Sequence, residues 1–313
     1  MNKKKLLILS IIGPTSIGKT ELAFSIEKKY PVEIISVDSA MIYREMNIGT
    51  DKPNLKVLSK IKHHLVDIRD PNEGYNVGDF YQDAHRLINE IHKRHKIPLF
   101  VGGTLMYFNQ LYSGLDKLPK SSLATREFIN SLAKKYSWES LYNYLKEIDL
   151  QSIKKITKND SQRIQRFLEI YLLTGNVPSS FLSSKKPLSN EFNVLTIKLT
   201  ANDRSHLHNR IEQRTKKMFA NGFIDEVTML KNKYHLSLQS QSMKAIGYKQ
   251  IMWFLDGKLS YDDVVEKTIF ATRQLAKRQL TWLNKFKNAI ELNNISELPR
   301  SFFNKIEKSL QFL

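Results

Sequence analysis

The chain has 313 residues, no cysteine, and 49 Lys and Arg against 31 Asp and Glu, a formal net charge of +18. That length buries a core without covalent staples, and a hydrophobic share of 41% excludes a disordered or collagen-like chain. The lack of Cys excludes a disulfide scaffold, thiol catalysis and any Cys-ligated metal site.

The first element is the apolar run of residues 6–12 behind Lys3-Lys4-Lys5, which imitates the start of a signal peptide. No small-residue cleavage site follows. The run leads instead into Gly13-Pro14-Thr15-Ser16-Ile17-Gly18-Lys19-Thr20, which fits G-x-x-x-x-G-K-[ST] at every fixed position. Cleavage there would discard a phosphate-binding loop, so residues 5–12 are expected to form a buried strand of a cytoplasmic protein. No apolar run approaches the roughly 20 residues that a membrane helix needs. In such a loop successive backbone N–H groups and a helix N-terminus surround a phosphate, Lys19 adds a full charge, and Thr20 offers its hydroxyl to Mg²⁺. The loop fixes a ligand's phosphates and leaves the reaction open.

A helix over residues 19–30, a strand at 32–37, a strand at 64–68, a helix at 77–95 and a strand at 97–101 follow in order. Phe80, Ala84, Leu87, Ile88 and Ile91 mark one apolar face of the second helix. This alternation predicts an α/β fold, a P-loop NTPase-like parallel sheet flanked by helices, with chemistry beyond the strands' carboxyl ends. Asp38 stands at such an end, in Asp38-Ser39-Ala40-Met41-Ile42-Tyr43. From position alone it suits acid–base work or Mg²⁺, and equally an Asx-turn or a helix cap. The strand at 97–101 ends in Val101-Gly102-Gly103-Thr104. Many P-loop enzymes carry a Mg²⁺-holding acid there; here two glycines permit close backbone approach and Thr104 supplies a hydroxyl.

Residues 117–192 change character. Amphipathic stretches at 125–148 and 159–174 are joined by polar loops such as Ser179-Ser180 and Ser183-Ser184-Lys185-Lys186-Pro187, so a helical insertion is expected. It carries 13 Lys and Arg against 7 Asp and Glu. A strand at 194–199 returns the chain to the sheet, and the remainder reads as helical, punctuated by Gly222, Gly247 and Gly257. The core is thus expected at 1–116 and 193–313. Residues 267–287 hold Lys267, Arg273, Lys277, Arg278, Lys285 and Lys287 and no acid, a solvated face or a nucleic-acid contact. His63-His64 and His206/His208 have no partner in sequence to complete a metal site and read as structural or surface histidines. Trp253, Phe254 and Leu255 read as core.

Several segments together resemble the bacterial tRNA dimethylallyltransferases, also called tRNA isopentenyltransferases. They are the P-loop, residues 38–43 with Gly49-Thr50 and Lys52-Pro53, His64-Leu65-Val66-Asp67-Ile68, Val101-Gly102-Gly103-Thr104, residues 159–166, Gly247-Tyr248, and residues 271–279. The resemblance implies transfer of a dimethylallyl group from its diphosphate to N6 of the adenosine 3′ of a tRNA anticodon. It implies Asp38 as the base, with Thr104 and Lys19 at the reacting centre. Gly13, Pro14, Thr15, Ser16, Ile17, Gly18, Lys19 and Thr20, helped by Arg214 and Mg²⁺, would then hold the diphosphate without ATP hydrolysis. It also implies tRNA contacts by Asp38, Ser39, Ala40, Met41, Thr104, Arg126, Gln162, Arg163, Ile164, Gln165 and Arg166. A further set comprises Lys244, Ala245, Ile246, Gly247, Tyr248, Lys249, Lys277, Arg278, Gln279, Leu280, Thr281, Trp282, Leu283 and Asn284, with Tyr248 and Trp282 as stacking surfaces. The partners implied are the anticodon stem-loop and dimethylallyl diphosphate, with no membrane, for a monomer. Three departures stand out: Ser16-Ile17 replaces the family's common Ala-Ser, Lys244 and Lys249 replace Arg, and Asn284 replaces Arg. Lys keeps the charge but not the bidentate fork, and Asn keeps neither. The competing classes are a small-molecule P-loop kinase and a nucleic-acid-dependent NTPase.

Overall fold

A computed structural model describes residues 5–154, 156–181, 185–201, 203–293 and 299–310; Lys3, Lys4, Ser183 and Ser184, named above, lie outside them. Six strands form one sheet: β1 (Leu7–Ile12), β2 (Val32–Val37), β3 (His63–His64), β4 (Ile97–Gly102), β5 (Asn193–Leu199) and β6 (Ile290–Leu292). Their order is β3-β2-β4-β1-β5-β6 and every pairing is parallel. Helices on both faces explain why β1 and β2 are buried at every position. Alternate residues serve the two layers. Ile8, Ile12, Ile35 and Phe100 pack with Phe80, Ala84, Leu87 and Ile88 of α2 (Val77–Lys93). Leu7, Leu9, Ile34 and Leu99 pack with Leu22, Ala23 and Ile26 of α1 (Lys19–Glu27).

Register places the site. Gly102 pairs with both Ile12 and Val37, so Gly13, Asp38 and Gly103 leave three adjacent strand ends at one level. From β4 the chain runs into α3 (Leu105–Ser113).

The chain divides into two compact units, Met1–Tyr112 with Leu188–Leu313, and Ser113–Pro187. The second has its own core of Ile129, Leu141, Leu145, Ile153, Ile156, Ile164 and Leu168. It begins and ends a few residues earlier than the expected 117–192. The cause at the far end is Leu188, which is buried in the first unit's core with Phe192 packed against it. The expected helix at 125–148 is two, α4 (Leu123–Tyr136) and α5 (Trp138–Ile148), broken at Ser137, whose φ is 80° and whose hydroxyl accepts from Ser140 N–H. α6 (Ser161–Thr174) ends on Gly175 in the left-handed region.

In the first unit the C-terminal part is helical as expected: α7 (Arg204–Ala220), α8 (Phe223–Tyr234), α9 (Tyr248–Leu255), α10 (Tyr261–Leu283) and α11 (Arg300–Leu310). The strand expected at 64–68 shrinks to two residues, because Leu65 and Asp67 sit at φ of 60° and 55°. Among the described residues no helix is long and apolar enough to cross a membrane.

Candidate active site

The loop after β1 turns into α1 through Ser16 and Gly18 at φ of 61° and 106°. Such left-handed residues aim neighbouring amides into one concavity, an anion-binding nest. Gly13 is tightly packed, since a Cβ there would lie 3.0 Å from Leu199 O. Lys19 is half-buried and its Nζ donates to Pro14 O at 2.6 Å. Burial, then the charge of Arg214, push the Lys19 ammonium down to about 7, with Asp38 pulling the other way. Arg214, on α7, donates from Nη1 to Thr15 Oγ1 (2.8 Å) and Ser16 Oγ (3.3 Å). Its Nε pairs with Asp51 Oδ2 at 3.1 Å, without hydrogen-bond alignment. Thr20 is exposed at the start of α1.

Asp38 takes up the Asx-turn expected of its position. Its Oδ1 closes a turn, accepting from Ala40 N–H (2.8 Å) and Met41 N–H (3.2 Å). Among the described residues Oδ2 receives no hydrogen bond. Thr104 lies against it: Oγ1 accepts from Ser39 N–H (3.2 Å) and the Thr104 N–H donates to Val37 O (3.2 Å). The Thr104 hydroxyl hydrogen is therefore left to donate elsewhere. Both glycines before it permit close approach, Gly102 to backbone and Gly103 to a side chain. Gly102 rests on the Val37 backbone, and a Cβ on Gly103 would lie 2.5 Å from Gln279 Nε2.

These groups line one cavity of about 880 Å³, together with Lys244, Ala245, Ile246, Arg278, Gln279 and Trp282. Ile17, Phe24, Ile34, Val66 and Val101 add apolar wall. Lys244, Lys249, Lys277, Arg278, Thr281 and Asn284 are exposed, and Ser39 is exposed beside Asp38. In the second unit Gln162 and Arg163 are exposed and Gln165 donates to Asn130 Oδ1 at 2.8 Å. Arg126 and Arg166 there both bind the buried Glu169, at 2.9 and 2.5 Å.

Some expected contact residues are turned inward. Tyr248 is fully buried, its ring edge-to-face with Phe223, and its hydroxyl donates to Glu226 Oε1 at 2.7 Å. It offers no stacking surface. Ile164 and Leu283 belong to cores, Gly247 is buried, and Leu280 packs half-buried against its neighbours. Gln279 hydrogen-bonds protein backbone: it accepts from Thr15 N–H and donates to Gly103 O. Trp282 is half-buried, with Lys285 Nζ 3.8 Å from its ring centre. Phe254 and Leu255 pack on the core as expected, while Lys249 covers the Trp253 ring. His63 and His64 are structural, bound to Ile61 O and Glu33. No group of three or more metal-ligating side chains gathers among the described residues.

Sequence reasoning missed Glu226. This buried carboxylate on α8 accepts from the N–H groups of Asn47 (2.9 Å), Ile48 (2.7 Å) and Gly49 (3.2 Å) as well as from Tyr248. It anchors the loop that carries Gly49, Thr50 and Asp51 into the cavity wall. The only signals were its recipients, Gly49-Thr50 and Gly247-Tyr248.

A family model described as IPP transferase matches residues 41–286. A curated relative, the tRNA dimethylallyltransferase of Legionella pneumophila (strain Paris), is 45% identical over 290 residues, covering 93% of this chain and 91% of its own. That of Francisella philomiragia subsp. philomiragia is 44% identical, covering 93% of this chain and 94% of its own. Among solved structures, the full-length tRNA isopentenylpyrophosphate transferase from Bacillus halodurans is similar with a TM-score of 0.66 at 33% identity, covering 99% of this chain and 95% of that one. A eukaryotic dimethylallyltransferase acting on tRNA is similar with a TM-score of 0.78 at 28% identity, covering 93% of this chain and 75% of that one.

Proposed function

Because the chain belongs to the IPP transferase family, we propose that it transfers a dimethylallyl group from dimethylallyl diphosphate to N6 of the adenosine 3′ of a tRNA anticodon. The observation that carries this reading is one cavity holding both a phosphate nest and a carboxylate with an uncommitted oxygen. An adenine amine is a poor nucleophile, since its lone pair is delocalised into the ring. As N6 bonds to C1 of the prenyl group, the C1–O bond breaks and the N6 proton passes to Asp38 Oδ2. A positioned base of this kind contributes ~10²–10⁴-fold. The negative charge that grows on the departing diphosphate meets donors already in place. They are the amides of the loop around Gly18, the Lys19 ammonium and the Thr104 hydroxyl. Arg214, held on Thr15 and Ser16, stands over the same loop. The apolar wall of Phe24, Ile34 and Val101 suits a five-carbon chain.

Mg²⁺ takes oxygen donors, substrate phosphates among them, and the hydroxyl of the exposed Thr20 fits that set. Bound there, it would neutralise charge on the diphosphate. The target adenosine must leave its stack to enter the cavity, past the exposed Lys244 and Arg278. These cations, with Lys277, suit RNA phosphates, and the half-buried Trp282 offers a ring face.

The test is incubation of the protein with radiolabelled dimethylallyl diphosphate and unmodified tRNA. Label is expected in the RNA at one adenosine. Unlabelled RNA together with phosphate release from ATP would overturn the reading in favour of an NTPase.

A further inference from the structure

Gln279 sits beside Lys277 and Arg278, two exposed cations of α10, yet only 8% of its own surface is exposed. Its Oε1 accepts from the Thr15 N–H at 3.0 Å, and its Nε2 donates to Gly103 O at 2.8 Å. Thr15 belongs to the loop after β1, and Gly103 precedes Thr104 at the end of β4. One planar amide thus bridges the two halves of the site, accepting at one end and donating at the other, which only Asn and Gln side chains do in fixed geometry. Asn would be one methylene short. The absence of a side chain at Gly103 is what admits this amide, since a Cβ would lie 2.5 Å from Nε2.

The helix behind the bridge is firmly seated. Ala276 packs with Leu207 and Ile211 of α7, and Ile17 of the phosphate loop and Leu280 pack against the same cluster. Arg273 donates to Glu212 Oε2 at 2.8 Å. The Thr15 amide is therefore committed to α10, and an anion is left to the amides that follow it.

We propose that Gln279 is a positioning residue that ties α10 to the phosphate loop, holding the diphosphate nest at a fixed separation from Thr104 and Asp38, and that it reads no base. The proposal rests on the transferase reading above. Lys277 and Arg278, exposed on the same turn, are left to RNA phosphates, while Gln279 reaches inward to the loop.

Gln279→Met keeps the length and removes both hydrogen bonds. Its expected phenotype is a rise of about tenfold in the KM for dimethylallyl diphosphate and a fall of about tenfold in kcat, from two lost bonds and a misplaced nest. The tRNA Kd by filter binding should match the wild type. Faster deuterium exchange is expected at the Thr15 amide. Should the methionine unfold the protein, Gln279→Glu retains an acceptor for Thr15 but sets an oxygen against Gly103 O, and it should raise the same KM with the same tRNA Kd. An unchanged diphosphate KM with a weakened tRNA Kd would make Gln279 an RNA contact and overturn the proposal. Wild-type KM and kcat in both variants would do the same. Calorimetric titration with inorganic diphosphate separates this question from the reaction itself. A wild-type protein that transfers no label sinks the transferase reading, while a Gln279→Met Kd for diphosphate equal to the wild type sinks the bridge.

Discussion

Asp38 uses one oxygen to hold its own turn and among the described residues leaves the other without a hydrogen bond, so Asp38→Asn isolates the proposed role as base. The amide can keep the turn through its carbonyl but takes no proton. Transfer in single-turnover assays is expected to fall ~10²–10⁴-fold, with tRNA still retained on a filter; transfer at the wild-type rate would remove Asp38 as the base. Lys19 makes a second residue-scale prediction. Burial and then Arg214 bring its ammonium down to about 7, so at pH 8 the empty site holds it largely neutral. An arriving diphosphate restores the favour for charge, and the site should take up a proton on binding. Calorimetric binding enthalpies at pH 8 should therefore vary with the ionisation enthalpy of the buffer in the sense of uptake, and buffer-independent enthalpies would contradict this. The sequence made both residues legible because a P-loop and a strand-end carboxylate are local patterns. Tyr248 and Glu226 were not legible for the opposite reason. A tyrosine fit to stack and one whose hydroxyl is buried on a carboxylate look alike until residues 47–49 and α8 are brought together.

At the scale of elements, the central strands were readable because helices cover both faces and every residue of β1 and β2 is buried, all but one of them uncharged. Glu33 is the exception inside β2, and it is only 2% exposed. Burial alone would raise its pKa. Hydrogen bonds from Arg94 and His64, with the charges of Arg94 and Lys62, outweigh that and hold it near 2. A carboxylate depressed from its ordinary 4.5 to about 2 contributes stability that is complete above pH 4.5 and lost as pH falls toward 2. Denaturant titrations of the wild type should show that loss, and Glu33→Gln should flatten it. At pH 7 the variant should be less stable by about 2–3 kcal/mol, less than for a fully buried pair because Arg94, Lys62 and Lys96 keep contact with water. A Glu33→Gln protein with the wild-type pH profile would show that the ion cluster contributes nothing. The same strand pairs with β3, which is where sequence reading overreached. Val66 and Ile68 look like strand residues, but Leu65 and Asp67 adopt a left-handed backbone that ends pairing at His64. β6 was missed because three residues supply too short a pattern, and its place is set by pairing with β5.

Across the whole molecule the net charge of +18 is less available than its sum suggests. In the second unit Arg126 and Arg166 are occupied by Glu169, and in the first Arg273 is occupied by Glu212. Lys277 and Arg278 differ: both are exposed on α10 and neither has an ion pair among the described residues. Charges without partners near the surface attract a polyanion without first breaking a bond, so these two should carry a disproportionate share of RNA affinity. For single-stranded and loop RNA each neutralised phosphate contributes a slope of about −0.7 in log K against log salt. Lys277→Ala with Arg278→Ala should therefore weaken tRNA binding and make that slope shallower by about 1–1.5. The same double variant should leave the KM for dimethylallyl diphosphate near the wild type, because among the described residues the side-chain hydrogen bonds to the phosphate loop come from Gln279 and Arg214. That pattern is the reverse of the one expected for Gln279→Met. An unchanged salt slope would mean that the positive charge is background spread over a lysine-rich surface. A shallower slope with an unchanged diphosphate KM would mean that one turn of α10 divides its work, two outward cations for RNA and one inward amide for the nest.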